Sequence, residues 1–424
     1  MTDLGTLDRA RIRELFDLRG PTYALLGGTY HDNPYPVWHR LREQAPVHPG
    51  VLHELTGFEG PAMFVGLPEP DREHFTTFSY AACEAVYRAP ETFAQWPDPV
   101  DPAGGELSPI NSMLFMNGPG HKRYRGLVQP SFVPTQAQWW IRNWVEEAVH
   151  TLIDGFVEDG HAELNVDFCA AIPVLTITGS FGIPVERALD VRAAILAPME
   201  IVHILTPIVE SRRADPQDDL ISILVHAEIK DEDGTVHRLS DAEIYSFALL
   251  LLAAGSGTTW KQMGIALHLL LQRPELLAAV REDREVLRLV IKESLRWMPT
   301  DPMFSRYTTK DVDFYGVHMP KGSVVHINLA AANRDPARWD RPDEFDIYRA
   351  QKPTFAFGSG PHVCLGMHVA FAELTTAIGA LLDRLPNLRL DPAAEPPRII
   401  GMYERAATEI PVLFDPADRR NARG

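Results

Sequence analysis

A mainly α-helical body with small β-sheets is predicted by three observations. Alanine-rich segments with helical apolar periodicity recur along the chain, β-branched runs are short and confined to a few stretches, and neither a linker nor an internal repeat divides the sequence. Residues 31–415 therefore read as a single domain, with an N-terminal segment over 1–30 and a C-terminal tail over 416–424.

In chain order, Asn33-Pro34-Tyr35-Pro36 leads into a short helix from Val37, and the β-branched and aromatic residues of 51–65, broken by glycines, predict strands. Periodic helical segments follow over 80–87, 141–157 and 191–196. The longest helix opens at Leu239-Ser240-Asp241-Ala242-Glu243, where Ser240 and Glu243 form a capping-box pattern, and Gln272-Arg273-Pro274 stops it. Helical patterning returns over 274–281, 286–297 and 365–385. Strand signals cluster over 312–327, punctuated by Gly316 and Pro320-Lys321-Gly322, and again towards the C-terminus.

The 424 residues are 45% hydrophobic and 23% charged, enough apolar material for a large core. A formal charge of −17 disfavours a nucleic-acid partner, because phosphate binding needs a basic surface. Cys83, Cys169 and Cys364 form no disulfide framework, and Met1-Thr2-Asp3-Leu4 lacks a basic region followed by an apolar one. A cytoplasmic location is the expectation. No apolar run is long enough for a membrane span; the richest, 247–254, reads as a buried helix, so no membrane anchor is expected.

Two stretches stand apart. Inside the longest helix, Ala253-Ala254-Gly255-Ser256-Gly257-Thr258-Thr259 sets two glycines, each costing on the order of 1 kcal/mol relative to alanine. Such a segment kinks easily, and close approach of a flat ligand, or of oxygen in a groove, would explain it; a helix crossing made by small residues is the plainer account. Further on, Phe357-Gly358-Ser359-Gly360-Pro361-His362-Val363-Cys364-Leu365-Gly366 is a glycine-hinged loop that places a cysteine at the start of a helix. Helix N-termini and loop N–H groups favour a thiolate, which ligates metals. The plain alternative is a buried free cysteine beside a turn. Zinc fits less well: His362 and His368 are near Cys364, but Cys83 and Cys169 lack paired spacing.

The spacing of Phe357, Gly360, Cys364 and Gly366, with His362 two residues before the cysteine, resembles the haem-thiolate signature of the cytochrome P-450 family. The resemblance implies a triangular helical body enclosing haem b, with Cys364 as the axial iron ligand. It further matches Ala254, Gly255, Ser256, Gly257 and Thr258 to the family's oxygen-handling motif on the helix crossing the distal haem face, where Thr258 would hydrogen-bond dioxygen. The chain departs at Gly257, where the family usually carries an acid; Ser256, Thr258, Thr259 and water are the substitutes for a proton relay. Glu293 and Arg296 resemble the family's buried Glu-x-x-Arg pair, locked to the segment with Asn333-Arg334-Asp335-Pro336, Pro342 and Phe345-Asp346. His121 and Arg125, one helical turn apart, would join Arg306 and His362 around the haem propionates. Phe371 departs from an arginine common in the family.

The activity implied is haem-thiolate monooxygenation, hydroxylation or oxidative demethylation of a hydrophobic small molecule by O2. Electrons would come from a separate ferredoxin and its reductase, since the chain carries no flavin, nicotinamide or iron–sulfur motif, with Arg88, Lys122, Arg123 and Arg142 as candidate docking cations. Trp96, Met113, Leu114, Phe115, Ile201, Val202, Leu205, Phe247, Leu250, Ala254, Met303 and Phe304 are candidate pocket residues by position in the family, or simply core. Gly257 keeps a peroxide-driven peroxygenase or a nitric oxide reductase on the same fold open. A non-catalytic haem sensor would need a signalling module, and none is apparent.

Overall fold

The longest element is the helix Asp241–Leu271, opened by the capping box its sequence predicts: Ser240 N donates to Glu243 Oε2 at 2.7 Å, and Glu243 N donates to Ser240 Oγ at 3.3 Å. The computed structural model of the chain describes residues 8–100, 111–230 and 234–420; the predicted character of Met1–Leu4 and of the last residues of the tail lies outside them. Around the long helix pack Ala171–Ser180, Glu285–Trp297 and Met367–Arg384. The helix runs unbroken through both glycines. Gly255 has the plain explanation: a Cβ there would stand 2.8 Å from Ile177 Cγ1, so the Ala171–Ser180 helix crosses at that point. Gly257 differs, with nothing within 4 Å of its Cβ position.

The expected strands over 51–65 are replaced by the helix Leu52–Thr56, closed by Gly57 at φ 85°, with only an isolated Phe64–Leu67 bridge beyond it. Trp38 Nε1 donates to Thr56 Oγ1 at 2.9 Å and fixes that turn, while Val51, Leu52 and Leu55 have helical rather than alternating spacing. The main sheet has five strands in the order Val47–Pro49, His74–Thr77, Val324–Asn328, Met303–Thr308, Phe93–Ala94. Its Val324–Asn328 and His74–Thr77 strands run parallel and the other neighbours antiparallel. Strand Met303–Thr308 was not legible in the sequence: it carries buried Ser305, Arg306 and Thr308. Pairing Val325 with Arg306 in the middle of this sheet holds the guanidinium inside the protein.

Glu293 and Arg296 sit on one face of helix Glu285–Trp297, each side chain 2% exposed. Arg296 Nε and Nη2 reach the two Glu293 oxygens at 2.9 and 2.7 Å, and its remaining donors serve the carbonyls of Asn333, Pro342 and Glu344 at 2.9 to 3.1 Å. Glu293 Oε1 also accepts from Asp346 N at 3.0 Å and Arg349 Nε at 2.9 Å. The irregular segment ahead of the cysteine loop is thereby tied to the helical core, every charge satisfied.

Candidate active site

The cysteine loop is set by its glycines. Gly358 and Gly360 adopt φ of 69° and 73°, and a Cβ on Gly360 would lie 3.0 Å from the Tyr87 carbonyl oxygen. Gly358 N donates to Phe355 O at 2.8 Å and Cys364 N to Phe357 O at 2.9 Å, folding the loop so that Cys364 immediately precedes helix Met367–Arg384. Backbone N–H groups of Gly366 and Met367 point at the sulfur and favour its anion, as does Arg125 through space. Burial outweighs them, so the thiol is pushed above its ordinary value, the reverse of the expected activation. A stable thiolate here calls for a cationic partner on the sulfur.

Cys83 and Cys169 are packed away, whereas Cys364 keeps accessible surface although protein surrounds it. Accessible surface also marks a stripe on the long helix: Ala253 and Ala254 are exposed and Leu250, Gly257 and Thr258 half-buried, while Leu251, Leu252, Ser256, Thr259 and Trp260 are buried. The spacing is one helical face, with small residues at its centre. Ser256 lies on the packed side of the helix and donates back to Ala253 O at 3.4 Å.

Beside the cysteine loop a cavity of about 380 Å³ is lined by Tyr87, Gln95, His121, Arg125, Arg306 and His362. The His121 and His362 rings stack at 3.8 Å between centroids. Burial, with neighbouring positive charge, lowers His121 to about 4 and His362 to about 2; Arg125 acts on both, and His121 and Arg306 on His362. Arg306 donates to Ser305 O at 2.8 Å and Arg125 to Gln129 Oε1 at 3.4 Å; among the described residues none of the four basic groups forms an ion pair with a carboxylate. Two further polar atoms on this wall, Tyr87 Oη and Gln95 Oε1, are buried without a partner. Nothing in the sequence around Tyr87 or Gln95 marked them, since their placement depends on distant segments.

The pocket residues divide. Trp96, Leu250, Ala254 and Phe304 retain accessible surface, and Trp96 meets Phe115 and Tyr307 edge-on at 5.2 Å each. Ile201 and Leu205 are packed in the core with Phe247, which stacks on Tyr124 at 5.8 Å, and Met303 is wholly buried in another cluster; for these the core reading holds. Of the docking cations, Arg88 is paired with Glu84 at 2.9 Å and Lys122 lines the cavity beside Arg125. Among the described residues, no group of three or more His, Cys, Asp or Glu residues assembles a metal site.

An accessible cysteine beside a basic cluster without carboxylate partners, on a mostly helical fold with small sheets, is an arrangement that a prosthetic group carrying its own metal and an acidic edge would fit. The comparisons agree. The family model described as Cytochrome P450 matches residues 195–402. The monooxygenase PikC of Streptomyces venezuelae is 32% identical, over 86% of this chain and 87% of that protein, and a vitamin D(3) 25-hydroxylase of Pseudonocardia autotrophica is 32% identical over 86% and 90%. The structure of PksS from Bacillus subtilis superposes with a TM-score of 0.77 at 26% identity, covering 94% of this chain and all of that one. The chain belongs to the cytochrome P-450 family; it is an oxidoreductase whose cofactor is haem b.

The residues present fit that group. Haem b has an apolar face, matched by the Ala254–Gly257 stripe with open space at the Gly257 Cβ, and two propionates at one edge, matched by basic groups without carboxylates and by the unpartnered Tyr87 hydroxyl. No single helix among the described residues is long and apolar enough to cross a membrane; helices Asp241–Leu271 and Pro274–Glu282 pass only as a pair, bent by 103°.

Proposed function

We propose that this cytochrome P-450 inserts one oxygen atom from O2 into a hydrophobic small molecule, by hydroxylation or oxidative demethylation, using electrons from a separate ferredoxin and its reductase in the cytoplasm, with residues 31–415 as the catalytic unit. The observation that carries this reading is that the two incompletely packed surfaces, Cys364 and the Leu250–Ala254–Gly257–Thr258 face, belong to segments whose helices, Asp241–Leu271 and Met367–Arg384, pack on each other.

When bound, haem b supplies the iron that activates O2, with thiolate donation favouring O–O cleavage. Cys364 would hold the iron through its sulfur, the anion being stabilised by the Gly366 and Met367 N–H groups. His121, Arg125, Arg306, His362 and the Tyr87 hydroxyl orient the cofactor by its propionates, while Phe357, Gly360 and Gly366 shape the loop. Thr258 presents a hydroxyl on the open face and holds a proton donor near the reacting oxygen; with Gly257 and the inward-turned Ser256 beside it, that face carries no acid. Trp96, Leu250, Ala254 and Phe304 exclude water and hold an apolar substrate.

The missing acid favours one second reading, a peroxide-driven oxygenation that brings its own protons. Turnover under ¹⁸O₂ with ferredoxin, reductase and NADPH, set against hydrogen peroxide alone, tests the two. Label in the product with the electron-transfer chain supports the monooxygenase; product formed only with peroxide overturns it.

A further inference from the structure

Behind Arg306, on the far face of its strand, the side chains join in one hydrogen-bonded circuit. Strand alternation puts Ser305 and Tyr307 on the face opposite Arg306. Ser305 Oγ lies 2.9 Å from His326 Nδ1, His326 Nε2 lies 2.9 Å from His74 Nδ1, and His74 Nε2 lies 2.9 Å from the Glu69 carbonyl oxygen. Tyr307 Oη donates to Glu69 Oε1, and Arg72 Nε holds Glu69 Oε2 at 2.5 Å. Both neighbours of Arg306 therefore lead to one residue, Glu69.

The direction of each bond follows from its acceptor. A carbonyl only accepts, so His74 carries its proton on Nε2 and offers a bare Nδ1. His326 then donates from Nε2, and its bare Nδ1 accepts from the Ser305 hydroxyl. With both rings neutral every ring nitrogen is satisfied. A second proton on His74 sets two N–H groups head-on, and one on His326 reverses the Ser305 bond and takes away that hydroxyl's acceptor.

A charge on the pair would also lack a counterion. Among the described residues neither ring is ion-paired, and Glu69 turns only its carbonyl to His74 while Tyr307 and Arg72 occupy its carboxylate. The other titratable groups packed around the pair are His48, in the same register row as Thr76 and His326, and His53 with the exposed Glu54 on helix Leu52–Thr56. His48 and His53 are engaged by Leu41 O and Tyr403 Oη, at 2.7 Å each. His326 is wholly buried, whereas His74 is half-buried and within reach of solvent protons.

We propose that His74, His326 and Ser305 are positioning residues that hold Arg306 against the haem edge only while both imidazoles are neutral, forming an acid-release latch on the cofactor. The inference goes beyond the oxygen chemistry above and does not depend on it; it needs only that Arg306 meets the haem edge. Burial, with His74 and His53 adding to it, holds His326 well below its ordinary value of 6.5. The sign follows: the hold is complete above 6.5 and weakens as pH falls through that value.

The test is the rate of haem transfer from the holoprotein to an acid-stable apomyoglobin at about pH 7.5 and about pH 5.5. One histidine recovering its ordinary value in the loosened state predicts release about tenfold faster at the lower pH. Glutamine copies the donor and acceptor of a neutral imidazole without titrating, so His326→Gln should narrow that ratio to about threefold or less. Arg306→Leu should narrow it equally, because the latch then has nothing to hold, whereas acid unfolding of the whole protein would persist in that variant. A ratio near one in the unsubstituted protein overturns the proposal and needs no variant to fold. An undiminished ratio in His326→Gln or in Arg306→Leu overturns it as well. None of these results touches the ¹⁸O₂ labelling, so failure here leaves the monooxygenase reading to its own experiment.

Discussion

His121, on helix Gly118–Val128, and His362, in the cysteine loop, stack at 3.8 Å with their planes 26° apart. Both imidazoles are held neutral, with Arg125 acting on the two and Arg306 on His362, and among the described residues no carboxylate is paired with any of them, so the two guanidinium charges give this edge an anion as its natural complement.

Haem retention should depend on that edge. His121→Ala or Arg306→Leu is expected to weaken it roughly 10- to 100-fold, the worth of one charge-assisted hydrogen bond, measured as the rate of haem transfer to apomyoglobin. Retention equal to the unsubstituted protein would remove the propionate assignment.

The two helix glycines should respond with opposite signs. Gly255→Ala forces a methyl against Ile177 and is expected to destabilise by about 1–3 kcal/mol, while Gly257→Ala enters open space and should stabilise the apoprotein by up to about 1 kcal/mol. Urea unfolding checks both, and a matching sign at the two positions would show that they share one environment.

The buried ion pair should be intolerant of neutralisation. Glu293→Gln leaves Arg296 and Arg349 facing an uncharged amide inside the protein and is expected to cost about 3–5 kcal/mol, read as a lowered thermal midpoint. A midpoint within a degree or so of the original would mean that the carbonyl contacts of Arg296 hold the segment alone.

Glu373, on helix Met367–Arg384, introduces a pH dependence. Burial raises its carboxyl to about 8, and Thr176 opposes only in part. A raised folded-state value means that this contribution to stability is complete below the ordinary carboxylate range, at 4.5, and is lost as pH climbs towards 8. Relative to Glu373→Gln, the unsubstituted protein should therefore lose stability between those limits, and parallel stability profiles for the two proteins would contradict it.

Much of this was legible wherever the chemistry is local. The loop from Phe357 to Gly366, the Glu293/Arg296 pair and the Ser240 capping box each occupy a short window of chain, so residue type and spacing define them. Tyr87 and Gln95 were not legible, because their distinguishing property is a partner that the surrounding fold fails to provide. Aromatic and β-branched content in 51–65 outweighed the helical spacing of Val51, Leu52 and Leu55, and the strand prediction failed there. Likewise a glycine-rich window could not reveal that Gly255 serves a helix crossing while Gly257 faces open space, nor that Ser256 turns inward.

The most direct test of the central claim is the ferrous carbon-monoxide spectrum of the haem-loaded protein and of Cys364→Ala. Ligation by Cys364 predicts the red-shifted Soret band of a thiolate-bound ferrous carbonyl in the first and its disappearance in the second. A band that persists in Cys364→Ala, or is absent from the correctly folded, haem-loaded parent, would contradict it.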